Sequence, residues 1–122
     1  MTLKTLNLPF SNALLYISDA LTFDPPRIDE MTGFWTTPHC VTVSCLPECD
    51  GDTELTVGTM DEIGERGSPR FDGRIKTPSR RIAVETVLRE KILEMPVPHT
   101  DTRIRIWTNG YLDTDTVIVG LE

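Results

Sequence analysis

The stretch from Thr102 to Leu121 constrains the fold most, because it predicts two strands of a packed β-sheet. Its first part reads TRIRIWT, in which isoleucines alternate with arginines, the pattern of a strand with one buried face. Asn109-Gly110 follows and predicts a turn, since both residues tolerate a positive φ. The last part, from Thr116 onwards, is β-branched and apolar on both faces, which is typical of a strand inside a sandwich or barrel.

Five further segments alternate in the same way and predict short strands. They are Leu6 to Phe10, Ala13 to Ser18, Cys40 to Leu46, Glu54 to Thr59 and Phe71 to Lys76. Turn residues separate the predicted strands at roughly ten-residue intervals, which indicates an antiparallel sandwich or barrel and not a parallel α/β sheet. We expect the third and fourth of these segments to pair as a hairpin across the polar turn between them.

The segment from Thr77 to Met95 fits either a helix or a hairpin. Thr77-Pro78 would serve as an N-cap and a first helical residue, and apolar residues recur at helical spacing. The same segment also alternates, and its β-branched residues favour strands. Because strands are predicted on both sides, the hairpin is preferred, with one helix near residues 78–94 as the alternative.

Length and composition predict one globular domain over residues 1–122. The chain is 39% hydrophobic and 25% charged, and 122 residues suffice to bury a core. The patterns above then predict an all-β fold: a single antiparallel β-sandwich or partly open barrel of about eight or nine strands, with little or no helix.

The start of the chain does not look like a signal peptide, because it lacks an apolar core of sufficient length. No run approaches the roughly 18 apolar residues that a membrane span needs. We therefore expect a soluble, cytoplasmic protein that does not contact membranes.

Charge is distributed unevenly along the chain, and this indicates a binding surface. The net charge is −7, which disfavours nucleic acid as a partner. Residues 28–65 carry nine carboxylates and no Lys or Arg, whereas residues 66–105 carry ten basic residues against five acidic ones. An acidic segment of this kind fits a basic protein partner, which it would mask electrostatically.

The predicted partner-binding residues are seven carboxylates and one tryptophan. They are Glu48, Asp50, Asp52, Glu54, Asp61, Glu62, Glu65 and Trp35. Trp35 and its neighbour Phe34 belong to a long connection, residues 19–38, in which Pro25-Pro26 prevents a regular ladder. The two aromatic side chains either anchor this connection on the core or form an exposed contact site.

A calcium site is one alternative to the binding surface. The acidic turn at residues 50–54 is similar to a calcium loop, but its sixth position is Leu55, where such a loop needs Gly. A sandwich can also bind calcium between its loops, as C2-type domains do, and Asp113 and Asp115 would then contribute. The plainer interpretation of the acidic turn is a solvated loop, so no cofactor is predicted.

The cysteines and histidines offer a second alternative, a small metal-dependent enzyme, with zinc as the metal, or a thiol enzyme. The available side chains are His39, Cys40, Cys45, Cys49 and His99. They lack the two tight pairs typical of structural zinc, and no nucleophile elbow surrounds a cysteine. Cys40 and Cys45 differ in strand parity and should point to opposite faces. Cys45 is then a buried apolar residue, unless it approaches Cys49 across a turn.

The order of these features resembles the competence protein J (nuclease inhibitor) type family. An early strand pair precedes Pro25-Pro26 and Trp35, and a long β stretch with hairpins leads to the RIRIWT strand of Arg103 to Thr108 and a final β-branched strand. The resemblance implies a compact β-sandwich that works by binding, with acidic residues masking a basic nuclease site. It carries no catalytic residue over to this chain, and the oligomeric state stays open.

Overall fold

The computed structural model describes residues 3–28, 32–110 and 113–122, which form two β-sheets of five strands each. The strands are β1 Lys4–Leu8, β2 Leu14–Asp19, β3 Phe34–Thr37, β4 Cys40–Ser44, β5 Thr53–Thr59, β6 Phe71–Lys76, β7 Arg81–Thr86, β8 Lys91–Pro96, β9 Asp101–Thr108 and β10 Thr116–Leu121. One four-residue helix, α1 Met60–Ile63, follows β5, and 3-10 turns at Ser11–Ala13 and Glu48–Asp50 complete the described elements. The predicted all-β sandwich is confirmed, and the described residues form ten strands where eight or nine were expected.

The first sheet has the strand order β1-β5-β10-β9-β6. Every pairing in it is antiparallel except that of β5 with β10, which run parallel with Thr116 beside Glu54 and Leu121 beside Thr59. Strands β9 and β10 are the two strands predicted from the end of the sequence, and they pair with each other, with Ile106 opposite Val119. Their alternate apolar residues are fully buried, as the period-2 pattern requires.

The chain turns after β9 as predicted, but not because Asn109 and Gly110 adopt a positive φ. Neither Asn109 nor Gly110 has a positive φ. Instead the side chain of Asn109 organises a wider loop, in which its Oδ1 accepts from the backbone N–H groups of Asp115 and Thr116, both at 3.2 Å. Its backbone N–H donates to the hydroxyl of Thr114 at 3.1 Å. Asn109 thus acts through its amide side chain and not through its backbone freedom.

The second sheet has the order β3-β4-β2-β7-β8 and is antiparallel throughout. Strands β7 and β8 are the hairpin predicted within residues 77–95, with Val84 opposite Leu93, so the alternative helix near 78–94 does not form. Ile82, Val84 and Thr86 favour the extended backbone, and pairing with β2 on one side secures it.

The hairpin expected between Cys40–Leu46 and Glu54–Thr59 is wrong. Strand β4 lies in the second sheet and β5 in the first, and the chain crosses from one to the other through the turn at Glu48–Asp50 and Gly51, whose φ is 130°. Alternation reports which face of a strand is buried, and it does not identify the neighbouring strand. Each strand therefore buries its apolar face as predicted, but the two strands belong to different sheets.

The core lies between the two sheets and consists of their inward-facing apolar residues. The largest fully buried side chains are Phe10, Leu15, Ile17, Leu55, Ile75, Ile82, Met95, Ile104 and Ile106. Phe34 from β3 stacks on Phe71 from β6 with ring centroids 5.6 Å apart, which joins the two sheets at one edge. Within the described residues, no helix is long and apolar enough to cross a membrane.

The long connection after β2 covers the outer face of the second sheet. Phe23 meets the ring of Tyr16 edge-to-face at 5.5 Å, and the guanidinium of Arg89 lies 3.7 Å from the centroid of the Phe23 ring. Trp35 is 7% exposed, and it lies on β3 rather than in the connection. The structure therefore favours the packing role for Trp35 over the exposed contact site.

Asp19, at the end of β2, ties this connection to the turn between β6 and β7. Its Oδ2 accepts from the backbone N–H groups of Leu21 at 3.1 Å and Thr22 at 3.0 Å. Its Oδ1 accepts from Ser79, from the backbone N–H at 3.0 Å and the hydroxyl at 2.7 Å. Burial acts to raise the pKa of Asp19, but the hydrogen bonds outweigh it and hold that pKa below its ordinary value of 3.8.

We expect Asp19→Ala to lower the free energy of unfolding by about 1–3 kcal/mol at pH 7, because it leaves partly buried hydrogen-bond donors without their acceptor. The folded pKa lies below the unfolded one, so the ionised carboxylate stabilises the fold above pH 3.8 and this contribution is lost as the pH falls further. Urea unfolding of the wild type and of Asp19→Ala from pH 7 to pH 2 measures this. The difference in the free energy of unfolding between the two should narrow below pH 4, and a difference independent of pH would contradict the assignment. Asp101→Asn, at an exposed carboxylate, is the control.

Helix α1 is held against the outer face of the first sheet by a close contact. Thr59 and Glu62 form a capping box, in which the Thr59 N–H donates to Oε1 of Glu62 at 2.9 Å. Met60 then lies over Gly120 of β10, where a Cβ would overlap the Met60 sulfur and meet the ring of Trp107 at 3.3 Å. Gly120 is required by this packing, and not by its backbone conformation.

We expect Gly120→Ala to lower the free energy of unfolding by about 1–3 kcal/mol through overpacking. Met60→Ala removes the obstructing sulfur, so the double variant should lose less stability than the two single variants together. A double-mutant cycle in urea measures this coupling. Strictly additive losses would show that Met60 does not rest on Gly120.

Candidate functional site

The predicted partner-binding carboxylates divide into two groups at opposite ends of β5. Glu48, Asp50, Asp52 and Glu54 lie before the strand or at its start, whereas Asp61, Glu62 and Glu65 follow its end. Strand β5 has seven residues, and at about 3.4 Å per residue its ends are about 20 Å apart. The acidic segment of the sequence is therefore not one patch.

The group at the start of β5 is fully exposed. All four of its carboxylate residues are solvent-accessible, and the 3-10 turn Glu48–Asp50 is closed by the Asp50 N–H donating to the Pro47 carbonyl at 2.9 Å. Because this turn connects the two sheets, its side chains project from the end of the sandwich.

The fold adds two further carboxylates to this end. Strand β10 is parallel to β5, so its preceding loop, with Asp113 and Asp115, lies beside the start of β5. The Glu54 N–H donates to the Asp115 carbonyl at 2.8 Å, and the Leu46 N–H donates to the Thr114 carbonyl at the same distance. The six residues Glu48, Asp50, Asp52, Glu54, Asp113 and Asp115 are called the acidic end below. Neither of its two segments, 47–54 and 113–116, contains a Lys or Arg.

From the sequence, Asp113 and Asp115 are interpreted only as possible calcium ligands. No local pattern indicates that they join the predicted partner surface. Their proximity depends on a parallel pairing between strands more than 50 residues apart, which local patterns do not report. Within the described residues, no group of three or more His, Cys, Asp or Glu side chains is arranged to hold a metal ion.

Five of the twelve Lys and Arg residues form ion pairs in the part of the chain that the structure describes, and none of these pairs is at the acidic end. Arg103 donates from its Nε and one terminal nitrogen to both carboxylate oxygens of Asp72, at 2.9 and 2.7 Å. The hydrogen bond from Arg103, with its charge, holds the pKa of Asp72 below its ordinary value. Glu94 is contacted by both Arg81 and Lys91. Among the described residues, none of the ion pairs includes Asp50, Asp52 or Glu54.

The second group of carboxylates has a partly structural role. Glu62 completes the capping box of α1, where its Oε1 also accepts from the Thr59 hydroxyl at 3.1 Å. Asp61 is exposed in the first turn of the helix, where the partial positive charge of the N–H groups favours an anion. Glu65 is exposed in the loop that leads towards β6.

The cysteines lie where strand parity predicts. Cys45 belongs to the core between the sheets, and Cys40 is buried on the opposite face of the second sheet. All three cysteines, including the exposed Cys49, are free thiols. Burial raises the pKa of both Cys40 and Cys45 to about 12, which disfavours the thiolate that a nucleophile or a zinc ligand requires.

No protein-family model matches the sequence, and no curated protein matches it significantly. A search of solved structures finds the crystal structure of ComJ, described as an inhibitor of the DNA degrading activity of NucA, from Bacillus subtilis. The TM-score is 0.64 with 14% sequence identity, over 97% of this chain and 93% of that chain. At this identity the likeness concerns the fold. The resemblance to the competence protein J type is thereby confirmed at the level of the β-sandwich.

Proposed function

We propose that this chain is a protein-binding inhibitor whose acidic end covers the basic substrate surface of a DNA-degrading enzyme. The observation that carries the proposal is the acidic end itself: exposed carboxylates on two adjoining loops, with no Lys or Arg in either segment. The shared fold with ComJ, whose description names an inhibited DNA-degrading activity, supports the choice of partner.

The partner class follows from the chemistry of its substrate. An enzyme that acts on DNA neutralises phosphates with Lys and Arg, so its substrate surface is basic. A protein surface with closely spaced carboxylates complements that charge and competes with the phosphate backbone. The same carboxylates repel DNA, so the inhibitor does not compete with its target for substrate.

Two stages of binding are expected to use different groups. Long-range attraction between the acidic end and the basic site raises the association rate, whereas close contacts determine the lifetime of the complex. Trp35, part of the predicted contact set, is buried on β3 and would contribute to the complex through the packing of the fold and not through direct contact. The protein would act in the cytoplasm without a cofactor, as the sequence predicts.

The acidic end can be tested by neutralising Asp50→Asn, Asp52→Asn and Glu54→Gln together. We expect association with the nuclease to slow by about tenfold at low salt, because steering is lost. The salt dependence of the association rate should also flatten. Stopped-flow measurements between low and physiological salt give both quantities.

A matched control carries the same change in net charge away from the acidic end. Asp24→Asn, Asp72→Asn and Asp101→Asn remove three carboxylates at scattered positions. If this control slows association as much as the triple variant at the acidic end, net charge alone explains the effect and the acidic end has no special role.

The partner itself can be identified by capture from a lysate of the source organism at low salt. The proposal predicts that a basic protein with DNA-degrading activity elutes as salt rises, and that added chain inhibits its cleavage of a supercoiled plasmid. A captured protein without such activity, or cleavage unaffected by excess chain, would reject the nuclease as partner.

A further inference from the structure

A groove of about 250 Å³ opens at the end of the sandwich opposite the acidic end. It lies where β5, β8 and β10 terminate, between α1 and the segment after β8. Sites for small organic ligands typically measure roughly 300–1,000 Å³, so this groove is of a size for a single long side chain.

The floor of the groove is apolar. Met60 from α1, Leu121 from β10 and Val97 after β8 form it, and the exposed Pro98 extends the apolar lining. Val97 is 6% exposed and Leu121 is 3% exposed, so both are fixed by the core behind them. This floor favours an aliphatic chain that would exclude water from it.

The rim of the groove is acidic. Asp61 is exposed at one side, and among the described residues it takes part in none of the ion pairs. Glu122 also lines the groove, but its carboxylate contacts Arg105 at 3.2 Å and Arg103 at 3.7 Å, so part of its charge is neutralised. His99 is the other titratable group at the rim. The carboxylate of Asp61 is therefore the principal charge.

We propose that the groove receives a lysine or arginine side chain of the protein partner. The aliphatic stem would lie on the apolar floor, and the cationic head would reach the carboxylate of Asp61. Lys and Arg are the side chains that combine a long apolar stem with a positive end. An aliphatic side chain without charge would leave the rim unmatched, and an acidic one would be repelled by it.

This inference rests on the proposed function for the identity of the partner. The acidic end and the groove lie at opposite ends of β5, about 20 Å apart. A partner that contacts both therefore extends along the sandwich and over its two ends. The acidic end would then set the association rate, and the groove would prolong the lifetime of the complex.

Binding to the groove can be measured without the partner. The probes are tripeptides with blocked ends and glycine on both sides of Lys, Arg, norleucine or Glu, titrated into the ¹⁵N-labelled protein. We expect the Lys and Arg peptides to shift the amide signals of Asp61, His99 and Leu121 saturably. The norleucine peptide should bind more weakly, and the Glu peptide should leave these signals unchanged.

Asp61→Asn should weaken binding of the Lys and Arg peptides by about twofold to fivefold, the range for an exposed ion pair. Glu90→Gln, which removes an exposed carboxylate from the β7–β8 turn, should leave their binding unchanged. Unaltered amide signals outside the groove establish that each variant is folded. Equal binding of the norleucine and lysine peptides, or equal binding by Asp61→Asn and the wild type, would overturn the proposal.

The peptide experiment separates this inference from the proposed function. If the peptides bind as expected but no nuclease is inhibited, the proposed function fails. If a nuclease is inhibited but Asp61→Asn leaves the dissociation rate of the complex unchanged, the groove does not contact the partner and this inference fails.

Discussion

The parallel pairing of β5 with β10 is the constraint on which the rest of the structure depends. It joins the middle of the chain to its last strand, and its register fixes both ends of the sandwich at once. At one end Thr116 lies beside Glu54, so the loop containing Asp115 reaches the acidic turn. At the other, Leu121 lies beside Thr59 and helps to form the groove under α1. Both candidate contact regions are consequences of one ladder.

Most strands could be predicted from the sequence because burial of one face leaves a period of two in the residues themselves. The β7–β8 hairpin followed because its residues are β-branched and its neighbours in sequence are strands. The position of β5 could not be predicted, since Glu54–Thr59 alternates in the same way whichever strand lies beside it. Which strands lie side by side in a sheet is determined by the packing of the whole domain. The neighbours of β5 are β1 and β10.

The sequence predicted most of the carboxylates that belong to the candidate site, but not how they are arranged in space. Counting carboxylates located the acidic segment, but the seven-residue length of β5 divides it into two groups. Ion pairs within the fold also reduce the number of charges that are available to a partner. Of the ten basic residues between positions 66 and 105, five form ion pairs in the described part of the chain, with carboxylates such as Asp72 and Glu94. What remains for a partner is set by which charges the fold leaves unmatched, and that depends on cross-strand register.

The three free thiols occupy three different depths of the molecule. Cys49 is exposed, Cys40 lies on the outer face of the second sheet, and Cys45 lies in the core between the sheets. A thiol reagent can reach Cys40 when the cover of that face opens locally, whereas Cys45 becomes accessible only when the two sheets separate. The natural chain therefore contains its own set of chemical reporters, which distinguish surface rearrangement, local opening and global unfolding without any introduced label.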